Sequence, residues 1–243
     1  MSTSDRSVIP SVVLALGIVV GGLFAGDGFV RAKQAERYVT VKGVAEREAK
    51  ANLAIWPLRI SAANNDLSLA NAQLQTSVQK IKAFLIRNGV DTTQLTLQEF
   101  AVRDGEADQY GNNRTGPRYV ITQTLMVRST DPDRVAATSQ QVHELVNDGV
   151  VFTSGEQYGN GGPTFVFTGL NELKPEMIAQ ATARAREAAA QFAADAGSDL
   201  GGIRQANQGY FEILPRDQAQ GIGEASQVNK TIRVVATVEY LLK

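Results

Sequence analysis

From Val8 to Gly26 the chain runs 19 residues without a charge. A helix that crosses a hydrocarbon core needs roughly 20 such residues, and a helix apolar on every side must be buried in protein or in lipid. Arg6 stands before the stretch and Asp27, Arg31 and Lys33 follow it. Pro10 falls in the first turn, where a backbone N–H would have no partner within the helix. A secretory signal has a shorter apolar core and small residues at its cleavage site. Here the apolar run is long, and Leu23 occupies a position where cleavage after Ala25 would want a small residue. The sequence therefore predicts a tail at residues 1–7, a retained transmembrane helix at 8–26, a polar linker at 27–37 and a folded body at 38–243.

Within that helix Gly17, Gly21 and Ala25 recur at every fourth position, and Gly22 with Gly26 makes a second pair. Residues so spaced share one face and let another helix approach closely. Glycine is also simply common in membrane helices, so the strip is a candidate helix-packing surface rather than a demonstration of one. Lys and Arg are more numerous after the span (Arg31, Lys33, Arg37, Lys42) than before it (Arg6), which by itself favours a cytoplasmic body.

The body reads as α+β. A strand is expected from Tyr38 onward, with Val39, Val41 and Gly43 on one face, and its hairpin partner at 54–62 with the turn near Glu48–Ala51; Pro57 requires an edge or a bulge because it cannot donate to a ladder. A helix capped by Asp66 or Ser68 presents Leu67, Ala70, Leu74, Val78, Ile81 and Leu85 on one side and stops at Gly89. Strands at about 94–103 and 118–129 flank the polar loop Asp104–Pro117. A second helix runs from Asp131 to about Asn147, with Pro132 in its first turn. Short strands at 150–154 and 164–168 surround the glycine-rich turn Gly159–Pro163. A third, alanine-rich helix over 172–196 carries Ile178, Ala181, Ala185, Ala188 and Phe192 on one face. Strands at 202–214 and 228–242 close the chain; Ile232, Val234, Ala236, Val238 and Tyr240 alternate along the last. The order ββαββαββαββ implies antiparallel sheets with three packed helices.

Chemistry is sparse. The absence of Cys excludes disulfides, thiolate metal sites and thiol catalysis. A formal net charge of −1 gives no field that would draw nucleic acid. His143 is the sole His and has no His or Cys with which to share a metal. Asp104, Glu106 and Asp108 make only a fragment of a calcium loop; Glu46 with Glu48 and Asp131 with Asp133 are shorter still. Gly159–Pro163 lacks the Lys-Ser/Thr of a phosphate loop. Trp56, the one Trp, reads as core, with an aromatic anchor at an interface as the alternative. Arg184 and Arg186 beside Ala181 and Ala185 read as a solvated face or a subunit contact. No catalytic residue, metal ligand or cofactor site is expected.

The block Tyr38-Val-Thr-Val-Lys-Gly-Val-Ala-Glu46, the Ala-rich stretch Ala179–Gly202 with Ala196-Gly197 and Leu200-Gly201, and the closing strand Val234–Tyr240 resemble the SIMPL-domain family. The resemblance covers about Tyr38–Lys243. It departs where relatives often place Pro-Asp between the first two strands, since this chain has Ala51-Asn52 and puts Pro57 inside the second strand. The resemblance implies a bacterial envelope protein with its domain in the periplasm, an association with oxidative or envelope stress, and ring-like oligomers in some members. It supplies no catalytic residues. It also sets the expected orientation against the charge count: a single-pass protein of the bacterial inner membrane with a periplasmic body. The function expected is a non-catalytic, membrane-anchored homo-oligomer whose partners are itself and the bilayer. The alternative is a monomeric periplasmic binding module that presents Asp104–Pro117 and Pro215–Gln227 to a partner protein.

Overall fold

Alternating and helical apolar patterns appear as regular elements in the computed structural model, which describes residues 5–34, 37–107, 116–153 and 161–243. In chain order they are α1 (Asp5–Gln34), β1 (Tyr38–Lys50), β2 (Leu53–Asn64), α2 (Leu67–Arg87), β3 (Thr96–Asp104), β4 (Tyr119–Ser129), α3 (Pro132–Ser139), α4 (His143–Asn147), β5 (Thr164–Val166), α5 (Leu170–Asp195), β6 (Leu200–Pro215) and β7 (Asn229–Leu242), with a 3-10 turn at Glu224–Ser226. The fold is α+β. Its strands form a three-stranded sheet in the order β1-β7-β6 and a four-stranded sheet in the order β3-β4-β2-β5.

Two compact units emerge, and both are discontinuous in sequence. One holds Met1–Ala45, Glu176–Phe211 and Val234–Lys243; the other holds Glu46–Pro175 and Glu212–Arg233.

In the second unit, Asp66 caps α2 by accepting from the backbone N of Ser68 (2.7 Å) and of Leu69 (3.1 Å), which satisfies two amides that the first turn leaves orphaned. Ala70, Leu74, Val78, Ile81, Phe84 and Leu85 form its buried stripe. Gly89, at φ 71°, ends the helix as the left-handed residue its C-terminus requires. Val90 N then donates to Leu85 O at 2.9 Å. The stripe packs with Trp56, Leu58, Ile60 and Ala62 of β2 and with Ile121, Leu125 and Val127 of β4 in one core cluster. These are alternate residues, so a single face of the sheet is buried.

In the first unit, α5 lays Met177, Ala181, Ala185, Ala189 and Ala193 inward. Val41, Ala185, Ala189, Val238 and Tyr240 form a core cluster. A Cβ built on Gly43 would stand 1.9 Å from Ala181 O and 2.5 Å from Ala185 N, so β1 and α5 touch backbone to backbone. The strict fourfold spacing of small residues is what allows that approach. The face expected from sequence is turned by about one residue: Phe192, assigned to it, is 59% exposed.

The ββαββαββαββ order holds only in part. β1 and β2 are not a hairpin, because β1 pairs in the β7 sheet while β2 lies between β4 and β5. Alternation specifies a strand and its buried face but not its neighbour. The second helix is broken in two, α3 and α4. Thr138 and Ser139 hydroxyls donate to the carbonyls of Arg134 and Ala136, the back-bonding by which such residues compete with helix propagation. Residues 150–153 form no strand, only an isolated bridge between Ile60 and Phe152; Ser154 lies outside the described residues. Helix α1 continues through Gln34 and takes in most of the stretch read as linker.

Pro57 sits inside a strand that is paired on both sides. On the β4 side it stands opposite Met126. On the other side β5 reaches only Leu53–Ile55, and the next contacts are Thr153 N to Arg59 O and Ser61 N to Val151 O. By the twofold alternation of strand hydrogen bonding, Pro57 faces that second side, where no described residue asks it for an N–H.

Among the described residues no helix is long and apolar enough to cross a membrane. Side chains of α1 are described at 13–26 and 28, so Val8–Val12 of the uncharged stretch lie outside them.

Candidate functional site

Several acidic residues that the sequence offered for chemistry are engaged in structural contacts. Asp104 receives Arg118 through two contacts of 3.2 Å, and Glu106 meets the same guanidinium at 2.9 Å. The hydrogen bond to Asp104 is the main reason Arg118 is held above the ordinary arginine range. Asp108 lies outside the described residues. Asp131 caps α3 by accepting from Arg134 N at 3.0 Å, Asp133 pairs with Lys50, and Glu46 pairs with Arg233 at 3.4 Å. His143 is exposed at the first residue of α4. Trp56 is 1% exposed, in the core. Of the glycine-rich turn, residues 159–160 lie outside the described residues, and Gly161 adopts φ 67°. Among the described residues no group of acidic or histidine side chains could hold a metal.

Sequence reasoning passed over Lys230. It is wholly buried, yet its Nζ reaches Glu224 Oε1 at 2.5 Å and Phe165 O at 2.8 Å, and also donates to Glu224 O. Three oxygens offset the desolvation of the amine. They also tie the segment after β6 to β5, and Gln227 fastens that segment again by donating to Asp217 O at 2.6 Å and accepting from Asp217 N at 3.1 Å. A signal was available: stepping back two residues from Ile232 along the buried face of β7 arrives at Lys230.

Among the described residues, some surfaces are left open. On α1 every described side chain is exposed, with Val13 at 65%, Ile18 at 68% and Phe24 at 77%. Gly17, Gly21, Gly22, Ala25 and Gly26 lie along this helix, and a Cβ added at any of the four glycines would meet nothing within 4 Å. The alanine strip of α5 is the reverse case: Ala181 and Ala185 are fully buried within the chain itself, so a second subunit could reach them only by displacing β1. Arg184 donates to Val44 O at 2.6 Å, while Arg186 is exposed. β3 and most of β6 are exposed, and Arg204 of β6 lies over the Tyr38 ring at 4.2 Å while meeting Glu239 at 3.2 Å.

Comparison with known families decides the lineage. The family described as "SIMPL: Protein of unknown function (DUF541)" matches residues 39–240. The chain belongs to the SIMPL family. The match covers β1 through β7, so the α+β body is the SIMPL domain and α1 lies outside it. No curated protein matches the chain. Among solved structures, an amidase of the hydantoinase/carbamoylase family from Burkholderia phymatum aligns at 15% identity and TM-score 0.24, over 56% of this chain and 33% of that one. A similarity that slight carries no argument about fold or chemistry.

Proposed function

We propose that this SIMPL protein is a membrane-tethered, non-catalytic scaffold that assembles with copies of itself, its α1 helix in the bacterial inner membrane and its body in the periplasm. The observation that carries the reading is α1: an apolar helix surface with Val13, Leu14, Ile18, Leu23 and Phe24 each more than 60% exposed and with an open glycine strip. Exposed apolar area costs about 25 cal/mol per Å² in water, so such a helix calls for lipid or protein around it. Close-packed small residues are what helices use to associate in a bilayer, where lipid tails give no hydrophobic drive. Anchors held in one membrane raise the effective concentration of the bodies, so modest contacts between them suffice. The involvement of this assembly in envelope or oxidative stress belongs to the same reading.

The test is mass measurement of the full chain in mild detergent, together with carbonate extraction of native membranes. An oligomer that resists extraction supports the proposal; a monomer at micromolar concentration, or release by carbonate, overturns it. Protease added to spheroplasts should digest the body, and protection of the body would reverse the orientation.

The binding-module alternative gains less. Of its two presenting loops, the one following Pro215 is fastened by Lys230 and Gln227, which leaves it less adaptable than a recognition loop needs to be.

A further inference from the structure

α1 ends at Gln34, and Arg37 immediately precedes β1. Residues 34 and 37 are three links apart in the chain, so their Cα atoms lie within roughly 11 Å of each other. Backbone hydrogen bonds run on from Arg37. Leu242 N donates to Arg37 O at 2.9 Å, Lys243 N donates to Asp199 O at 2.9 Å, Asp199 N donates back to Lys243 O at 3.1 Å, and Ser198 N donates to Ala193 O at 2.9 Å. The start of β1, the end of β7 and the last turn of α5 therefore share one end of their compact unit. Gly43, further along β1, instead neighbours Ala181 and Ala185, earlier in α5.

Helix rise says what that end must face. The uncharged stretch closes at Gly26, and Asp27–Gln34 carries α1 about 12 Å further at 1.5 Å per residue. The headgroup layer is itself about 5–8 Å deep on each side of the hydrocarbon core. With Val8–Gly26 in the bilayer, Gln34 stands just above the headgroups, and Arg37 is no more than roughly 11 Å beyond it. The tether thus holds this end of the unit at the membrane surface.

Phe192 is exposed there, at 59%, in the last turn of α5. The helix turns Ala185, Ala189 and Ala193 into the core, so nothing in the core requires a large ring beside them. The charged side chains of this end balance, Arg37 and Lys243 against Asp195 and Asp199, all of them exposed. Anionic lipid is therefore not called for, and the apolar ring is the group that gains by leaving water. We propose that Phe192 is a lipid contact: the last turn of α5 rests on the membrane that holds α1, with the Phe192 ring at the boundary between headgroups and acyl chains. The contact rests on the tethered reading above and adds to it which part of the body meets the bilayer. Because α1 keeps the surface within reach, the ring works at high effective concentration and need not bind lipid unaided.

The chain has no Cys, so one fluorophore can be attached through Ala194→Cys or through Gln180→Cys, at two exposed positions of α5. They lie about 21 Å apart along the helix. The labelled full chain is reconstituted into phosphatidylcholine vesicles containing lipid with a nitroxide quencher on its headgroup, and flotation isolates the vesicle-bound protein. Quencher in both leaflets makes the measurement independent of orientation. The label at position 194 should be quenched several-fold more than the label at position 180. Phe192→Ala should bring the two close to equal, and Phe192→Trp should keep them apart.

Equal quenching at the two positions of the unaltered helix overturns the proposal, as does a difference that survives Phe192→Ala. Self-quenching of the label at position 194 between copies, without quenching by lipid, also overturns it and assigns Phe192 to a second copy. If the chain floats with the vesicles and position 194 is not quenched, the lipid contact fails while the anchor stands. If the chain does not float, both fall.

Discussion

A β-carbon at Gly43 would lie 1.9 Å from the carbonyl oxygen of Ala181. β1 and α5 therefore meet without side chains between them, and the small residues on α5 are fitted to that contact. Relief would require moving backbone, because the atoms in the way are a helix carbonyl and a helix amide. Gly43→Ala should lower stability by about 2–3 kcal/mol, in the range for overpacking a filled core. Gly202→Ala, with nothing within 4 Å of the new atom, should change it by no more than about 0.5 kcal/mol. Urea unfolding followed by circular dichroism checks both, and equal effects would refute the backbone contact.

Lys230 makes a second test of what holds the body together. Lys230→Ala removes the partner of three oxygens and leaves Glu224, 34% exposed on its side chain, facing a cavity. A loss of about 3–5 kcal/mol is expected for breaking one side of a buried pair. Glu224→Gln should cost less, since its amide oxygen still accepts and the carboxylate it replaces is partly in water. Denaturant midpoints measure the two, and faster proteolysis after β6 in Lys230→Ala would report the released segment.

Acid sensitivity follows from Asp91 and Asp217. Asp91 accepts from the backbone N and the hydroxyl of Thr93, both at 2.8 Å, and these bonds hold it below the usual carboxylate range. Asp217 is lowered chiefly by its hydrogen bond from Arg216. A carboxylate lowered by folding contributes stability above its unfolded pKa, and that contribution is lost as pH falls through the folded value. Stability should therefore decline as pH drops below about 4. Asp91→Asn should flatten that acid limb while leaving its shape above pH 6 unchanged. Stability measured across the pH range decides, and an unchanged limb in the variant would count against the assignment.

Helix α1 can be probed apart from the body. Gly21→Leu fills the open strip with a bulky side chain and should weaken association of the isolated helix in a membrane two-hybrid reporter. The unfolding midpoint of the body should not move, because nothing in the chain lies within 4 Å of that position. Undiminished association would assign the strip to ordinary glycine usage in an apolar helix.

Much of this fold was written in local patterns. The caps at Asp66 and Asp131, the stripe of α2, the stop at Gly89 and the alternation of β7 each depend on residues a few positions apart, so the chain carries them without reference to the rest. Absence of Cys and a lone His likewise settled by composition that thiol chemistry and His-rich metal sites are excluded. What the chain could not announce was partnership over distance. β1 reads as the mate of β2 because they are neighbours in sequence, yet β7 takes it, since strand pairing depends on which faces can be buried together and not on proximity along the chain. The inward turn of Ala181 and Ala185 and the burial of Lys230 against Glu224 were decided the same way. Each depends on what packs beside it, and packing is a property of the assembled body.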